Sequence, residues 1–492
     1  MLKLLLIIPI LGCIPLIMIK GDSQNSTQSN KTNSLLKSIA LSTSLLNLFL
    51  SIILWIQFDS FTSEYQFVEE FSILTQYHFN IGIDGISLYF VLLTTFITPI
   101  CLLSNWTDIT NKLKYFLIAF LLLESLQIAV FVVLDLLLFY VFFESVLIPL
   151  FLIVGIWGAS ANRIRAAFLL FLYTLAGSLF MLLAILVIYG NVGSTDFKLI
   201  SLVEISLESQ KILWLAFFLS FAVKTPLAPF YIWLFRAHAE SPLAGSIILA
   251  AVILKLATYG YLRVLIDILP DATQYFSPLV QTVAIITLVY SSLATIRQID
   301  TKGYVAYSSI GHMSIVILGL FSNNIQGIEG AILLSIAHGF VSPALFILVG
   351  GVLYSRYHTR IISYYRGMAL TMPVFSILFL CFTLFNAAVP LSLNWAGEFL
   401  SLAGIYQKSP FIGIIGASTI VLSAIYSIWL FNRISYGEFS KHLKVTKDIN
   451  RREFMLLLPL LIGTVTLGIY PNVILDTLHF SITTLLYSNT VI

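Results

Sequence analysis

The chain has 492 residues, of which 59% are hydrophobic and 10% are charged, against about 25% charged residues in a typical soluble domain. This composition excludes a soluble globular protein, and the length leaves room for more than ten membrane-spanning helices of about 20 residues each. The 26 basic and 23 acidic residues form no arginine- or lysine-rich stripe, so nucleic-acid binding is not indicated.

Hydropathy, divided at turn residues and charges, predicts an all-α polytopic membrane protein with about fourteen spanning helices. In chain order, these predicted helices cover residues 2–19, 34–56, 86–105, 115–133, 135–157, 166–189, 211–235, 243–266, 277–296, 304–321, 327–353, 372–402, 410–432 and 455–475.

The basic residues are divided unequally between the two sides of the membrane that this topology defines. Nineteen of the 26 lie in loops after odd-numbered helices, four lie on the other side, and Lys224, Lys255 and Arg263 lie within helices. The positive-inside rule therefore predicts that the odd loops face inward and that both termini face outward. We expect Arg263, near the end of helix 8, to extend to the membrane interface.

A few ionisable residues lie near the middle of predicted helices, where a lysine or aspartate costs about 2.5–3.5 kcal/mol. A buried Glu–Lys pair can simply neutralise itself, and a buried histidine can be a satisfied hydrogen-bonding residue. The alternative is that these groups carry ions or protons. The residues concerned are Glu124, Glu144, Lys224, Lys255, His312, His338 and Glu398.

Two predicted helices contain a proline that interrupts their hydrogen bonding. Pro226 in helix 7 cannot donate to the carbonyl of Ala222, and Pro390 in helix 12 similarly frees the carbonyl of Asn386. Irregular backbone at this depth is tolerated where it is buried in protein or lines a wet cavity. Interrupted helices at corresponding places indicate a transporter with repeats, although two unrelated proline kinks remain the alternative.

The positions of these interruptions suggest how the chain is divided. Each would be the fourth helix of a five-helix unit, formed by helices 4–8 and 9–13. Because five is odd, consecutive units enter the membrane from opposite sides, which makes the repeat inverted. The predicted division is residues 1–114 for helices 1–3, 115–266 and 267–434 for the two repeats, and 435–492 for a loop and helix 14.

The sequence indicates no cofactor or metal site in this chain. Cys13, Cys101 and Cys381 are far apart in apolar runs, unlike a disulfide framework, a zinc site or an iron–sulfur site. Neither a dinucleotide-binding nor a phosphate-binding glycine motif is present. Any energy for transport must therefore come from elsewhere.

Eight motifs together closely resemble chain 4 of NADH:ubiquinone oxidoreductase, the respiratory complex I family of antiporter-like membrane-arm subunits. Each motif is weak alone, but all occur in the order of the family, and the resemblance covers essentially helices 3 to 13. The motifs are residues 135–144, 173–178, 221–226, 238–246, 254–255, 306–313, 337–339 and 397–399.

The resemblance implies a proton path through a row of polar residues at mid-membrane. Carried over position by position, this row comprises Glu144, Lys224, Lys255, His312, His338 and Glu398, with His238 matching in an unsettled role. It also implies other membrane-arm subunits as partners, phospholipids around them, and NADH, FMN, iron–sulfur clusters and ubiquinone elsewhere in the complex.

Three alternatives remain open at the level of sequence. The nearest is a subunit of a multi-subunit cation/proton antiporter, which shares the fold and many motifs. A structural spacer would leave the row of Glu, Lys and His residues unexplained, and a solute carrier acting alone predicts a selective polar pocket. The abundance of Phe and Ile and the absence of a transit segment favour the mitochondrial inner membrane, with the odd loops in the matrix and both termini in the intermembrane space, over a bacterial plasma membrane.

Overall fold

The computed structural model describes residues 1–19, 26–74 and 77–487. Helices dominate this part of the chain, which confirms the predicted fold class. In chain order they are α1 (Leu2–Met18), α2 (Ser26–Gln57), α3 (Gly85–Ser104), α4 (Leu113–Val132), α5 (Leu136–Ser145), α6 (Leu147–Trp157), α7 (Arg163–Val192), α8 (Phe197–Ser201), α9 (Leu207–Lys224), α10 (Ile232–Glu240), α11 (Leu243–Ile266), α12 (Pro270–Ile296), α13 (Thr301–Leu320), α14 (Ile325–Tyr357), α15 (Met368–Thr371), α16 (Pro373–Asn386), α17 (Leu393–Lys408), α18 (Pro410–Ser435), α19 (Arg451–Ile469) and α20 (Asn472–Tyr487).

Within the described ranges, eleven helical spans are long and apolar enough to cross a membrane, with α5 and α6 counted together as one. They correspond to eleven of the fourteen predicted spans. The first predicted span forms a helix of only 17 residues. The seventh and twelfth are each divided into two shorter helices, α9 with α10 and α16 with α17. Helices α1, α10, α16 and α17 are too short to count as spans, whereas α9 has 18 residues but contains three charged ones, Glu208, Lys211 and Lys224.

The two predicted interruptions are confirmed. Helix α9 ends at Lys224 and α10 begins at Ile232, with Pro226 and Pro229 in the connection. Helix α16 ends at Asn386, and α17 begins at Leu393. A helix cannot continue through these connections without losing the hydrogen bonds that proline cannot make.

The second connection also has backbone that a regular helix cannot contain. Ala388 and Leu391 have φ angles of 54° and 72°, in the left-handed region that side chains other than glycine adopt at a cost. Ser392 then begins α17 by accepting a hydrogen bond from the backbone nitrogen of Trp395 at 3.3 Å. The connection is thus a defined turn between two helices.

A third interruption was not predicted. The fifth predicted span consists of α5 and α6, which meet at Val146. Pro149, four residues after Ser145, cannot donate to the Ser145 carbonyl, so the regular hydrogen bonding of the helix is lost there. Glu144 therefore lies in the last turn before this kink.

Two further features depart from the sequence predictions. Residues 66–83 include an antiparallel pair of strands, β1 (Gln66–Leu74) and β2 (Tyr77–Ile83), in a chain predicted to be all-α. Their aromatic and β-branched residues suit a strand. The last predicted helix ends at Ile469, and α20 begins beyond Pro471, so this C-terminal segment contains a helix that hydropathy missed.

The chain forms two compact units. Unit 1 comprises residues 1–224, 240–248 and 255–272, and unit 2 comprises residues 225–239, 249–254 and 273–492.

In unit 1, the expectation that Arg263 extends to the membrane interface is wrong. It is buried and forms an ion pair with Asp84, and its Nε donates to the Tyr259 hydroxyl at 3.2 Å. Asp84 also accepts from the backbone nitrogen of Ser87 at 3.0 Å and begins α3 as its N-cap. A buried guanidinium requires a charged partner, and Asp84 provides it.

Candidate functional site

In unit 1, Lys224 is the last residue of α9 and its side chain is buried. Its Nζ donates a hydrogen bond to the Phe143 carbonyl at 2.8 Å and lies 3.2 Å from the centre of the Phe143 ring. A cation is favoured both at a helix C-terminus and over an aromatic face. The interruption between α9 and α10 therefore places a lysine in a site suited to positive charge.

Glu144 follows Phe143 in the chain and lies close enough to Lys224 to interact with it electrostatically. Lys224 binds the backbone carbonyl of Phe143 instead of forming a direct ion pair with the Glu144 carboxylate. Ser178 is a further polar neighbour of the Glu144 carboxylate. The structure thus brings these two predicted residues together without fixing them as a closed salt bridge.

Lys255, the third predicted residue of unit 1, is fully buried in α11. It follows a π-helical turn at Leu249–Ile253, and a second π turn occupies Tyr261–Ile266. Such turns occur frequently at functional sites because they alter the regular spacing of helical side chains. Sequence reasoning identified the lysine but not the irregular helix that carries it.

In unit 2, His312 on α13 has a hydrogen-bond partner at each ring nitrogen. Its Nδ1 lies 2.7 Å from Oε1 of Glu398 on α17, and its Nε2 lies 3.1 Å from Oδ1 of Asn386 on α16. All three side chains are buried, with exposures of 2–3%. The predicted pair of His312 and Glu398 is therefore brought into direct contact.

His338 on α14 lies next to His312, with 5.8 Å between the ring centres. It is also buried. Imidazole can accept and donate protons near neutral pH. The three predicted residues of unit 2, His338, His312 and Glu398, thus form a short row of titratable side chains.

Asn386 was not predicted as a site residue. Its carbonyl was identified as the one freed by Pro390, but its side chain was not considered. The available signal was a polar side chain at the end of an interrupted apolar helix, where it can turn away from the helix axis. In the structure, this side chain forms a hydrogen bond with Nε2 of His312.

His238 lies on α10 in unit 2, and its ring stacks on Phe346 with 4.6 Å between centres and 11° between planes. Glu124, to which the sequence assigned no motif, is fully buried in unit 1 and accepts a hydrogen bond from Asn47 at 2.8 Å. Both residues are therefore packed into the interior of their units. Their contacts do not assign either one a step in proton movement.

Within the ranges that the structure describes, no three His, Cys, Asp or Glu side chains are grouped as metal ligands. The site consists instead of lysine, histidine and glutamate side chains at or near irregular helix ends. Such groups can exchange protons without a bound ion, since each exists in two protonation states.

The chain is similar to known proteins over nearly its full length. Residues 133–425 match the family described as NADH:quinone oxidoreductase/Mrp antiporter, TM. The chain is 69% identical over 488 residues to the NADH-ubiquinone oxidoreductase chain 4 of Mycosarcoma maydis, covering 99% of this chain and 100% of that one.

Two solved structures have the same fold. A chain of respiratory complex I from Thermus thermophilus with bound NADH is 26% identical with a TM-score of 0.87, covering 99% of this chain and all of that one. A chain of the Mrp complex from a Dietzia species is 16% identical with a TM-score of 0.86, covering 99% and 98%. The family match and the identity over the full chain show that this protein belongs to the NADH:quinone oxidoreductase/Mrp antiporter transmembrane family.

Proposed function

We propose that this chain translocates protons as an antiporter-like subunit in the membrane arm of NADH:ubiquinone oxidoreductase. The energy comes from NADH oxidation and quinone reduction in other subunits, which hold the NADH, FMN, iron–sulfur and ubiquinone sites. The relative that is 69% identical bears the name of that enzyme. The observation that carries the proposal is that each unit places a titratable side chain at an interrupted helix.

In unit 1 this side chain is Lys224, which ends α9. In unit 2 it is His312, which contacts Asn386 at the end of α16. An interrupted helix supplies free backbone groups that can compensate a charge within the membrane. This parallel also supports the proposal of two inverted five-helix repeats, residues 115–266 and 267–434.

The proposed proton path consists of two groups of residues. Glu144, Lys224 and Lys255 form the first, and His338, His312 and Glu398 form the second; His238 is an additional candidate. Lysine suits the path because a buried amine can exist either charged or neutral, whereas a guanidinium stays charged. The histidines suit it because imidazole both accepts and donates protons.

The energy needed to move a proton across the membrane favours a mechanism in which several ionisable residues act together over one that relies on a single pair. Moving one charge against the membrane potential costs about 2.3 kcal/mol per 100 mV. Lys224 is held by a carbonyl and an aromatic ring, and it acts on Glu144 without a direct ion pair. Because such interactions contribute only a few kcal/mol each, we propose that charge changes in neighbouring subunits shift the residues of the path together.

The proposed setting is the mitochondrial inner membrane, with odd-numbered loops in the matrix and both termini in the intermembrane space. Its partners there are the other membrane-arm subunits, including neighbouring antiporter-like chains, and phospholipids. The eukaryotic origin of the chain 4 relatives and the unequal distribution of basic residues support this assignment.

A multi-subunit cation/proton antiporter is the second candidate, because the Dietzia Mrp chain has the same fold. That likeness concerns the fold alone, whereas the chain 4 relative is 69% identical over the full chain. The two functions differ in their energy source. Proton movement that depends on NADH oxidation supports the first, and proton movement driven by a sodium gradient supports the second.

The test uses the complete complex in sealed membrane vesicles. Glu144→Ala removes the carboxylate beside Lys224, and we expect assembly to persist while NADH-driven proton movement and coupled quinone reduction fall. Glu204→Ala, at an exposed glutamate, is the matched control and should retain both activities. Normal numbers of protons moved per NADH in Glu144→Ala, in a fully assembled complex, would contradict the proposal.

A further inference from the structure

His312 has one hydrogen-bond partner at each ring nitrogen. Its Nδ1 faces Glu398 Oε1 at 2.7 Å, and its Nε2 faces Asn386 Oδ1 at 3.1 Å. Both partner atoms are acceptors, whereas a neutral imidazole has only one N–H donor. The arrangement therefore matches a ring that is protonated on both nitrogens.

The side chain that faces Nε2 of His312 is an asparagine, and its amide can either accept or donate a hydrogen bond. Its terminal amide carries an acceptor and a donor at nearly equivalent positions, so a half-turn about its last side-chain bond exchanges them. When the ring loses its Nε2 proton, that nitrogen becomes an acceptor and the amide can present Nδ2–H. Asn386 can thus satisfy His312 in both protonation states, which matters because a buried unpaired polar group costs about 1–3 kcal/mol.

The local structure places this amide where it can turn. Asn386 is the last residue of α16, and the connection that follows has left-handed backbone at Ala388. Thr383, one turn earlier on the same helix, donates to the Leu380 carbonyl of its own helix at 2.9 Å. Asn386 instead reaches a side chain 74 positions away in the sequence.

Other titratable groups also face this pair. Glu398 reaches His312 from α17, and the ring of His338 approaches from α14. Tyr426 on α18 is near enough to Glu398 to interact electrostatically. Because Glu398 occupies Nδ1, gain and loss of the second proton fall on Nε2, where Asn386 lies.

We propose that Asn386 is a positioning residue of the proton path, whose amide turns between Oδ1 and Nδ2 as His312 gains and loses the proton on Nε2. This proposal rests on the proposed function, since it assumes that His312 is protonated and deprotonated during turnover. With Oδ1 on the ring, the Nε2 proton is held. The proton leaves only when the amide turns away, and it passes to the ring of His338, whose centre lies 5.8 Å from that of His312. The Nδ2–H group of Asn386 then stabilises the neutral His312 ring.

Two substitutions at this position have opposite expected effects in the assembled complex. Asn386→Leu removes the hydrogen-bond partner of both ring states, but the charged ring loses the stronger hydrogen bond, so the pH profile of NADH-driven proton movement should shift to lower pH by about one unit. In Asn386→Asp a carboxylate accepts that proton more strongly, so the profile should shift to higher pH by a similar amount. A residue that merely supported packing would give no opposite shifts.

The matched control is Thr383→Val, which should leave the pH profile unchanged. His312→Ala shows whether a negative result contradicts the inference alone or also the proposed role of His312. If His312→Ala lowers proton movement but both Asn386 variants retain the native profile or shift it in one direction, the inference is overturned and the proposed function stands. If His312→Ala leaves proton movement unchanged, the role of His312 in the proposed function is overturned together with the inference.

A measurement on the native chain covers the case in which the Asn386 variants do not assemble. Infrared difference spectra between pH 5 and pH 9, recorded with and without carbon-13 at the asparagine amide carbonyl, report changes in amide hydrogen bonding. We expect an isotope-sensitive band that disappears in His312→Ala. The absence of that band in the native complex would overturn the inference.

Discussion

His312 and Glu398 are 86 positions apart in the sequence, and Nδ1 of the histidine lies 2.7 Å from Oε1 of the glutamate inside unit 2. Both side chains are almost completely buried. A hydrogen bond to a charged partner contributes more than a neutral one, about 1.5–3 kcal/mol. The protonation of the histidine and the charge of the glutamate are therefore linked.

Glu398→Gln tests this linkage directly. The amide keeps the size of the side chain and an acceptor for Nδ1, but it removes the negative charge that favours the protonated ring. We expect NADH-driven proton movement at neutral pH to fall by about tenfold, which corresponds to the lower end of that free-energy range. Glu438→Gln, at an exposed glutamate, should behave like the native complex. Equal proton movement in the two variants would contradict the linkage.

Lys224→Arg tests whether Lys224 must lose its proton. Arginine keeps a positive charge that can interact with the Phe143 carbonyl and ring, which now accept the ammonium, but it stays protonated under physiological conditions. We expect a complex that assembles yet loses most of its proton movement, measured as acidification by sealed vesicles. Lys441→Arg, at an exposed lysine, is the control. Retained proton movement in Lys224→Arg would show that Lys224 acts only as a fixed charge.

The sequence predicted the two large helix interruptions because proline acts locally, through its own missing N–H. The charged residues of the site were visible for a similar reason, since few ionisable residues occur in apolar spans. Asn386 was not visible, because its role depends on His312, 74 positions earlier, and only packing brings the two together. The π turn before Lys255 likewise has no residue signature of the kind that proline provides.

The β-strands and Arg263 were missed for a different reason. A hydropathy window favours long apolar runs, so strands of nine and seven residues between helices are read as a loop. Arg263 was expected at the membrane interface because it lies near the end of predicted helix 8. Asp84, its partner, precedes it by nearly two hundred positions and begins a different helix.

Asp84→Asn tests whether this ion pair is required for stability. Asparagine can still cap α3, but it removes the carboxylate that is paired with the buried Arg263 guanidinium. Removing one partner of a buried pair costs about 3–5 kcal/mol, so we expect a lower midpoint of thermal unfolding in the detergent-solubilised complex. The double variant Asp84→Asn/Arg263→Gln should recover part of the loss. A double variant no more stable than Asp84→Asn alone would contradict this explanation.

Asp267→Asn tests whether ionisation of Asp267, which lies near Arg263, lowers the stability of the protein as the pH rises. Asp267 lies directly after α11, and its burial raises its pKa to about 6, although Arg263 opposes the rise and Asp84 adds to it. The folded chain therefore binds a proton more tightly than the unfolded chain, whose aspartate has a pKa near 3.9. Between about pH 4 and pH 6 the native state holds more protons, so this group makes stability fall as the pH rises.

Asparagine cannot ionise, so Asp267→Asn removes this decrease in stability with rising pH. We expect the unfolding midpoint of the variant, relative to the native complex, to be higher at pH 7 than at pH 4, with the change complete by about pH 7. Glu438→Gln, at an exposed carboxylate, should show a constant difference over the same range. A difference for Asp267→Asn that stays constant from pH 4 to pH 7, or that decreases, would show that Asp267 ionises in the folded chain at least as easily as in the unfolded one.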